Sequence, residues 1–160
     1  FIYLANTGWY MSASDVMWVL IDLVVLVMFG TALSSVVNFF LTTQGQISAV
    51  GTIVSSSYGF ICGAYMPISN FPEWLQRVLS FLPGTYGTSV IRNHTLAGVF
   101  DEMAEVGFPA DIVDKIRDSI DCNLYFFGER VSLSASFAII AGAAALFILL
   151  YILENKLAKK

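Results

Sequence analysis

The stretch that decides the fold is GAYMPISNFPEWLQRVLSFLPGTYG, residues 63–87, in which three prolines interrupt a largely apolar sequence. Pro72 suits the first turn of a helix, and Pro83 ends it. The twelve residues involved reach about 18 Å, well short of the roughly 30 Å of a bilayer core. Their apolar residues share one face, while Glu73 and Arg77 lie on the other. The stretch therefore predicts a short amphipathic helix that cannot cross a membrane.

The composition around this stretch predicts an integral membrane protein. Apolar residues make up 57% of the chain and charged residues 12%, with a mean hydropathy of +0.73. Soluble domains carry about 25% charged residues, so the low charge is the stronger signal. The formal net charge of −4 argues against a nucleic-acid partner. We expect an all-α, polytopic membrane protein.

Three segments are long and apolar enough to span a bilayer. An excess of lysine in the C-terminal tail marks that end as cytoplasmic. Counting back from it gives an external segment (1–15), a span (16–41), a cytoplasmic turn (42–46), a span (47–68), an external region (69–130), a span (131–153) and a cytoplasmic tail (154–160).

The external region divides into two parts. Residues 69–100 form two apolar arms, which are either a re-entrant hairpin or a pair of interfacial anchoring helices. Residues 101–130 form a small helical cap, with an amphipathic helix predicted over 108–121. Together with the three spans, the hairpin and the cap complete the predicted architecture.

Small residues recur at every fourth position of the second span and form one ridge on its helix. This ridge consists of Gly51, Ser55, Gly59 and Gly63. We expect it to pack within the bundle of this chain, with the third span as a plausible partner through Ser134, Ala138 and Gly142. A dimer seam or the lining of a transport pathway is the alternative.

Asp22 is the ionisable residue well inside a predicted span, which makes it a candidate for function. The competing interpretation is a structural hydrogen bond to Ser, Thr or Tyr of a neighbouring helix. Asn38 on the same helix is expected to form an interhelical hydrogen bond. His94 has no neighbouring ligand residues in sequence and is interpreted as structural, and the NHT sequence at 93–95 fits a glycosylation sequon that is common by chance.

Several classes of site are not indicated. No catalytic, cofactor-binding or metal-binding residues are predicted, and no P-loop sequence is present. Cys62 and Cys122 are expected to be free thiols. The chain opens at Phe1 within an apolar phrase, so we interpret Phe1 to Leu4 as the end of an earlier hydrophobic segment and the sequence as a C-terminal portion.

The order of these parts resembles the ABC-2 type ABC transporter permeases. A Gly-x-x-x-Pro-Ile run ends one span, a Pro-Glu-Trp turn follows, and a further Pro precedes a Tyr. The residues that carry the resemblance are Gly63, Pro67, Ile68, Pro72, Glu73, Trp74, Pro83 and Tyr86. The resemblance covers about residues 15–155 and corresponds to the last three of six spans.

The resemblance implies a permease subunit that forms a homodimer or heterodimer and docks a separate ATP-binding subunit. It also implies a re-entrant hairpin near the outer leaflet, contact with membrane lipid, a bacterial plasma membrane location and export of a hydrophobic or amphipathic substrate. A membrane-anchored scaffold or receptor with an external ligand-binding cap is the alternative. An intramembrane enzyme would require a second catalytic group beside Asp22.

Overall fold

The computed structural model describes residues 9–158, which are mainly helical. The helices are α1 (Ala13–Phe39), α2 (Gln44–Ile61), α3 (Glu73–Leu79), α4 (Pro83–Glu105), α5 (Ala110–Ser119) and α6 (Leu133–Ala158), with a 3-10 turn at Ile68–Asn70. Strands β1 (Leu124–Phe126) and β2 (Glu129–Val131) form an antiparallel hairpin between α5 and α6. The predicted apolar segment at residues 1–4 and the tail lysines at 159 and 160 lie outside the described residues.

Two helices of the described chain are long and apolar enough to cross a membrane, Ala13–Phe39 and Leu133–Leu157. They coincide with the predicted spans 16–41 and 131–153 apart from a few residues at their ends. Together with the predominance of helix, they agree with the expected all-α membrane fold.

Capping boxes begin the first two helices. The Ser12 hydroxyl accepts a hydrogen bond from the Asp15 N–H at 3.2 Å, and the Asp15 carboxylate accepts one from the Ser12 N–H at 2.8 Å. Thr43 and Gln46 repeat this arrangement at the start of α2, with bonds of 3.3 Å in both directions. Most of the predicted polar turn at 42–46 therefore forms the N-cap and first turn of α2.

Helix α2 ends at Ile61, whereas the sequence predicts a span that continues to residue 68. Gly63 has a φ of 79°, a left-handed conformation that ends helices. A Cβ at this position would lie 3.0 Å from Ile68 Cγ1 and 3.2 Å from Asp121 Oδ2. Pro67, predicted to end the span, precedes the 3-10 turn instead. That α2 crosses the bilayer stays a prediction.

The core forms where α1, α4 and α6 pack together. Phe29 of α1 is buried against Ile140 and Ala144 of α6. Gly87 of α4 lies so close to both neighbours that a Cβ there would meet Leu26 Cδ2 at 2.5 Å and Ile140 Cδ1 at 3.6 Å. The absence of a side chain at this position thus allows the three helices to meet.

We expect Gly87→Leu to destabilise this three-helix junction, because the larger side chain would have to displace Leu26 and Ile140. Overpacking of this kind costs about 1–3 kcal/mol, which lowers the Tm by roughly 5 °C in a chain of this size. Thermal unfolding in detergent measures the effect. Gly142→Leu is the matched control, since a Cβ there has no heavy atom within 4 Å. Equal unfolding temperatures for the two variants would contradict the junction.

The outer part of the chain differs from the sequence prediction in two ways. Helix α4 continues beyond the predicted arm at 100 and ends at Glu105. Residues after α5 form the β-hairpin, where the sequence predicts a purely helical cap. Its two-residue turn places Phe127 at φ 50° and Gly128 at φ 90°, and positive φ at both positions is the turn geometry that suits a tight hairpin.

Candidate functional site

Helix α4 carries polar side chains that contact α1 and the segments that follow α2 and α5. Gly87 lies beside Leu26, and Gly98 lies beside the backbone of Tyr10, so α4 runs antiparallel to α1. Arg92 and His94 are two residues apart and therefore project about 200° apart around the helix. His94 reaches α1, and Arg92 reaches Asp121 at the end of α5.

Asp22 and His94 form a buried pair between α1 and α4. His94 Nδ1 lies 2.6 Å from Asp22 Oδ2, and the two side chains are 16% and 1% exposed. Trp18, one turn before Asp22, stacks on the imidazole with ring centroids 5.5 Å apart. In the structural interpretation of Asp22, the predicted partner was a Ser, Thr or Tyr hydroxyl, and no partner was predicted for His94. The antiparallel packing of α4 brings these residues together although 72 positions separate them.

One oxygen of this pair is left without a partner. Asp22 Oδ1 is buried and makes no hydrogen bond within the described residues. An unsatisfied buried acceptor costs about 1–3 kcal/mol. A functional role for Asp22 stays a prediction.

Arg92 and Asp121 form a second buried connection on the other side of α4. Asp121 Oδ2 lies 3.4 Å from Arg92 Nη1, and the carboxylate also accepts the N–H of Ser69 at 3.0 Å. It accepts the N–H of Ile68 as well, while Arg92 donates to the carbonyl of Gly63. This cluster ties α4 to the break after α2 and to the end of α5.

Asn93 and Ser89 extend the connection along the same side of α4. The Asn93 amide donates to the carbonyl of Cys122 at 2.6 Å, and the Ser89 hydroxyl donates to it at 3.1 Å. The Asn93 side chain is thus engaged within a helix, which disfavours the sequon interpretation. Burial raises the pKa of the Cys122 thiol, an effect that the nearby charges of Arg117 and Arg92 partly oppose.

Three residues of the predicted small-residue ridge, Gly51, Ser55 and Gly59, lie on α2, none of whose residues is buried. Gly63 is not part of the ridge, because α2 ends at Ile61 and Gly63 has a left-handed backbone. A Cβ on Gly51 would meet no heavy atom within 4 Å, and one on Gly59 would meet the Tyr65 ring. Ser55 is exposed. A Cβ on Gly142, in the proposed partner ridge, also meets nothing within 4 Å. The role of the ridge stays a prediction.

Asn38 lies within α1 and donates to Ser34 Oγ of the same helix at 3.3 Å, so the predicted interhelical bond is replaced by a local one. The reason is that α2 stands away from α1 at this level. A groove of about 360 Å³ separates the two helices, lined by Phe29, Asn38, Gly51, Ser55 and Tyr58 among others.

The remaining motif residues lie in and beside α3 and the first turns of α4. Pro72 precedes α3, and Pro83 begins α4 and does not end α3, which stops at Leu79. The Tyr86 hydroxyl donates to the carbonyl of Ser80 at 2.6 Å, which closes the connection between the two helices. Glu73 pairs with Arg77 at 3.7 Å, and Trp74 is exposed.

A cavity of about 240 Å³ lies between α3, the 3-10 turn and the β-hairpin. Asp118, Asp121 and Gln76 contribute polar groups to its wall. Burial and the hydrogen bond to Asp118 raise the pKa of Tyr125, which also lines it. Among residues 9–158, no group of three or more His, Cys, Asp or Glu side chains is placed to hold a metal ion.

Sequence reasoning missed Arg92, Asp121 and the pairing of His94. A histidine and an arginine inside an apolar helical run were the available signal, because such residues are seldom left unpaired. In comparisons with known proteins, the family model for the ABC-2 type transporter matches residues 1–95. No curated protein and no solved structure gives a significant match to the chain.

Proposed function

Since this chain belongs to the ABC-2 type transporter family, we propose that it is a membrane-spanning permease subunit of an ATP-driven exporter. The observation that carries the proposal is the family match over residues 1–95, together with two helices of membrane-crossing length. ATP hydrolysis takes place on a separate subunit. The substrate is hydrophobic or amphipathic, and the chain supplies the last three of six spans.

The two buried connections of α4 support a mechanical role for the segment 69–100. His94 binds α1 through Asp22, and Arg92 binds the external turn and cap through Asp121. A movement of α1 would therefore be transmitted through α4 to the outer elements. In this mechanism, α3 and α4 form a re-entrant hairpin at the external end of the pathway, and a shift of α4 opens or closes that end.

The exposed face of α2 supports assembly with a second permease subunit, identical or related. Small residues allow the close backbone approach that drives helix association in lipid. The ridge at Gly51, Ser55 and Gly59 offers such a surface, and the groove beside it is lined mainly by apolar side chains. The C-terminus of the chain is cytoplasmic, in a bacterial plasma membrane, on the side where the ATP-binding subunit docks.

The test is co-expression of the complete permease with the ATP-binding subunit, followed by purification and reconstitution into vesicles. We expect the two proteins to purify together and ATP-dependent transport of an amphiphile from a panel of such compounds. The control is an ATP-binding subunit that binds but does not hydrolyse ATP. Ligand binding by the external segments without any ATP-dependent transport would favour the receptor alternative and overturn the permease proposal.

A further inference from the structure

The cavity between α3, the 3-10 turn and the β-hairpin combines apolar and polar side chains in its wall. Its apolar part consists of Ile68, Leu124 and the rings of Tyr86 and Tyr125. Gln76 and Asp118 contribute polar side chains. Its volume of about 240 Å³ is slightly below the roughly 300–1,000 Å³ of pockets that hold drug-sized ligands. The cavity therefore suits a small ligand that has both an apolar and a polar group.

The polar groups of this wall offer acceptors, because most of their hydrogens are already used within the protein. The Gln76 amide donates to the carbonyls of Phe71 at 2.7 Å and Ser69 at 3.3 Å, so its Oε1 is left to accept. The lining hydroxyls that donate to backbone carbonyls are those of Ser69, Ser80, Thr85 and Tyr86. A ligand that fills the cavity would therefore have to supply the hydrogens.

Asp118 supplies the charged acceptor of the wall. Its Oδ1 accepts the side-chain N–H of Asn123 at 2.8 Å and the hydroxyl of Tyr125 at 3.0 Å. Arg130 fixes the Asn123 amide in this orientation by donating to its Oδ1 at 2.5 Å. Asp118 Oδ2 accepts no hydrogen bond from residues 9–158, and Asp118 takes part in no ion pair among them. One oxygen of this carboxylate is thus held in place, while the other is available to a ligand.

Three arginines near the cavity do not neutralise Asp118, because each has another partner. The pairs are Arg92 with Asp121 at 3.4 Å, Arg130 with Asp114 at 4.0 Å, and Arg117 with the ring of Phe100 at 4.5 Å. Asp118 itself is only partly exposed. A partly buried carboxylate without a counter-ion favours the binding of a cation.

We propose that this cavity binds a small free amine in its protonated, ammonium form. A primary ammonium group has three donors and no acceptor, which matches a wall whose available polar atoms include Asp118 Oδ2 and Gln76 Oε1. The tyrosine rings attract a cation to their faces, and Ile68 and Leu124 contact the apolar part of the molecule. A divalent metal ion would require about six oxygen ligands, more than the described wall offers. The inference goes beyond transport, because binding at this site requires no ATP.

The test titrates 2-phenylethylamine into the complete permease in detergent and follows binding by saturation-transfer NMR of the ligand. This amine is protonated at neutral pH, since its pKa resembles that of a lysine side chain. The matched neutral probe is 2-phenylethanol, which has a hydroxyl in place of the ammonium group. We expect the amine to bind about tenfold more tightly, because charge-assisted hydrogen bonds are stronger than neutral ones. Equal affinities, or no binding of the amine, would overturn the proposal.

Asp118→Asn is the second arm of the test. The variant keeps the shape of the side chain but removes its charge, so we expect the amine to bind about tenfold more weakly and no better than the alcohol. Asp111→Asn is the matched control on the same helix, because Asp111 is exposed, pairs with Lys115 and lies outside the cavity. This control should bind the amine as the wild type does. An equal loss of affinity in both variants would overturn the assignment to Asp118.

A phospholipid with an ethanolamine head group carries the same ammonium chemistry as a free amine. Repeating the titration in nanodiscs with and without phosphatidylethanolamine separates these two sources. We expect the same affinity for 2-phenylethylamine in both. A loss of affinity where this lipid is present would overturn the assignment to a free amine and favour the head group. None of these measurements uses ATP, so a negative result leaves the proposed transport function untouched.

Discussion

Asp121→Ala is expected to detach the turn after α2 and the end of α5 from α4 and to lower the Tm by about 10 °C. The substitution leaves Arg92 without its counter-ion and two backbone N–H groups, those of Ile68 and Ser69, without an acceptor. Breaking a buried ion pair by removing one partner costs about 3–5 kcal/mol, which corresponds to a shift of this size. Thermal unfolding in detergent measures this shift in Tm. The rate of limited proteolysis in the segment that follows residue 62 is a second readout.

Two further variants make this prediction specific. Asp121 has a φ of 55°, a conformation that Asn tolerates well, so Asp121→Asn removes the charge without straining the backbone and should give an intermediate loss. Asp111→Asn is the control, because its pair with Lys115 is exposed, with side chains 69% and 78% accessible. Exposed pairs contribute about 0–1 kcal/mol. If Asp121→Ala unfolded at the temperature of this control, the buried cluster would not hold the external segments.

Asp22→Asn is expected to lower transport about tenfold while the protein remains folded and in the membrane. Asn has the same shape and still forms a hydrogen bond to His94, but the bond is no longer charge-assisted. Such bonds are worth about 1.5–3 kcal/mol when one partner is charged and about 0.5–1.5 kcal/mol when both are neutral. The difference weakens the connection through which α1 moves α4. Reconstituted transport and membrane expression are the two measurements.

His94→Asn and the double variant complete the experiment. If Asp22 and His94 act as one unit, the double variant should transport no worse than either single variant, since the interaction is already lost. Asp15→Asn is the control on the same helix, because the Asp15 carboxylate caps α1 and makes no hydrogen bond to His94. Wild-type transport by Asp22→Asn would remove the proposed coupling role.

The long apolar helices could be predicted from the sequence because their signal is local. The segments 16–41 and 131–153 contain enough apolar residues to identify α1 and α6 without any knowledge of their neighbours. The prolines at 72 and 83 likewise indicated that the intervening helix is short. In each of these segments, composition and spacing along the chain were sufficient.

The candidate site could not be predicted in the same way because its contacts are distant in sequence. Asp22 was identified by its place in an apolar helix, but its partner depends on how α4 packs along α1. The break after α2 is likewise in contact with a residue distant in sequence, because Asp121 lies close to Gly63 and accepts the N–H of Ser69. The β-hairpin was not predicted for two reasons. Its strands have only three residues each, and its turn, Phe127-Gly128, lacks the usual Asn or Asp.

Helix α2 has no buried residue and touches the core of Phe29, Ile140 and Ala144 through the partly buried Tyr58. Amide hydrogen exchange of the isolated subunit should therefore divide the bundle into two cooperative units, with α2 opening at lower free energy than α1, α4 and α6. Assembly with a second subunit would then slow exchange mainly in α2. If the proposed assembly covers α2, quality-control proteases, which act on segments that open easily, would distinguish unpaired subunits from assembled ones.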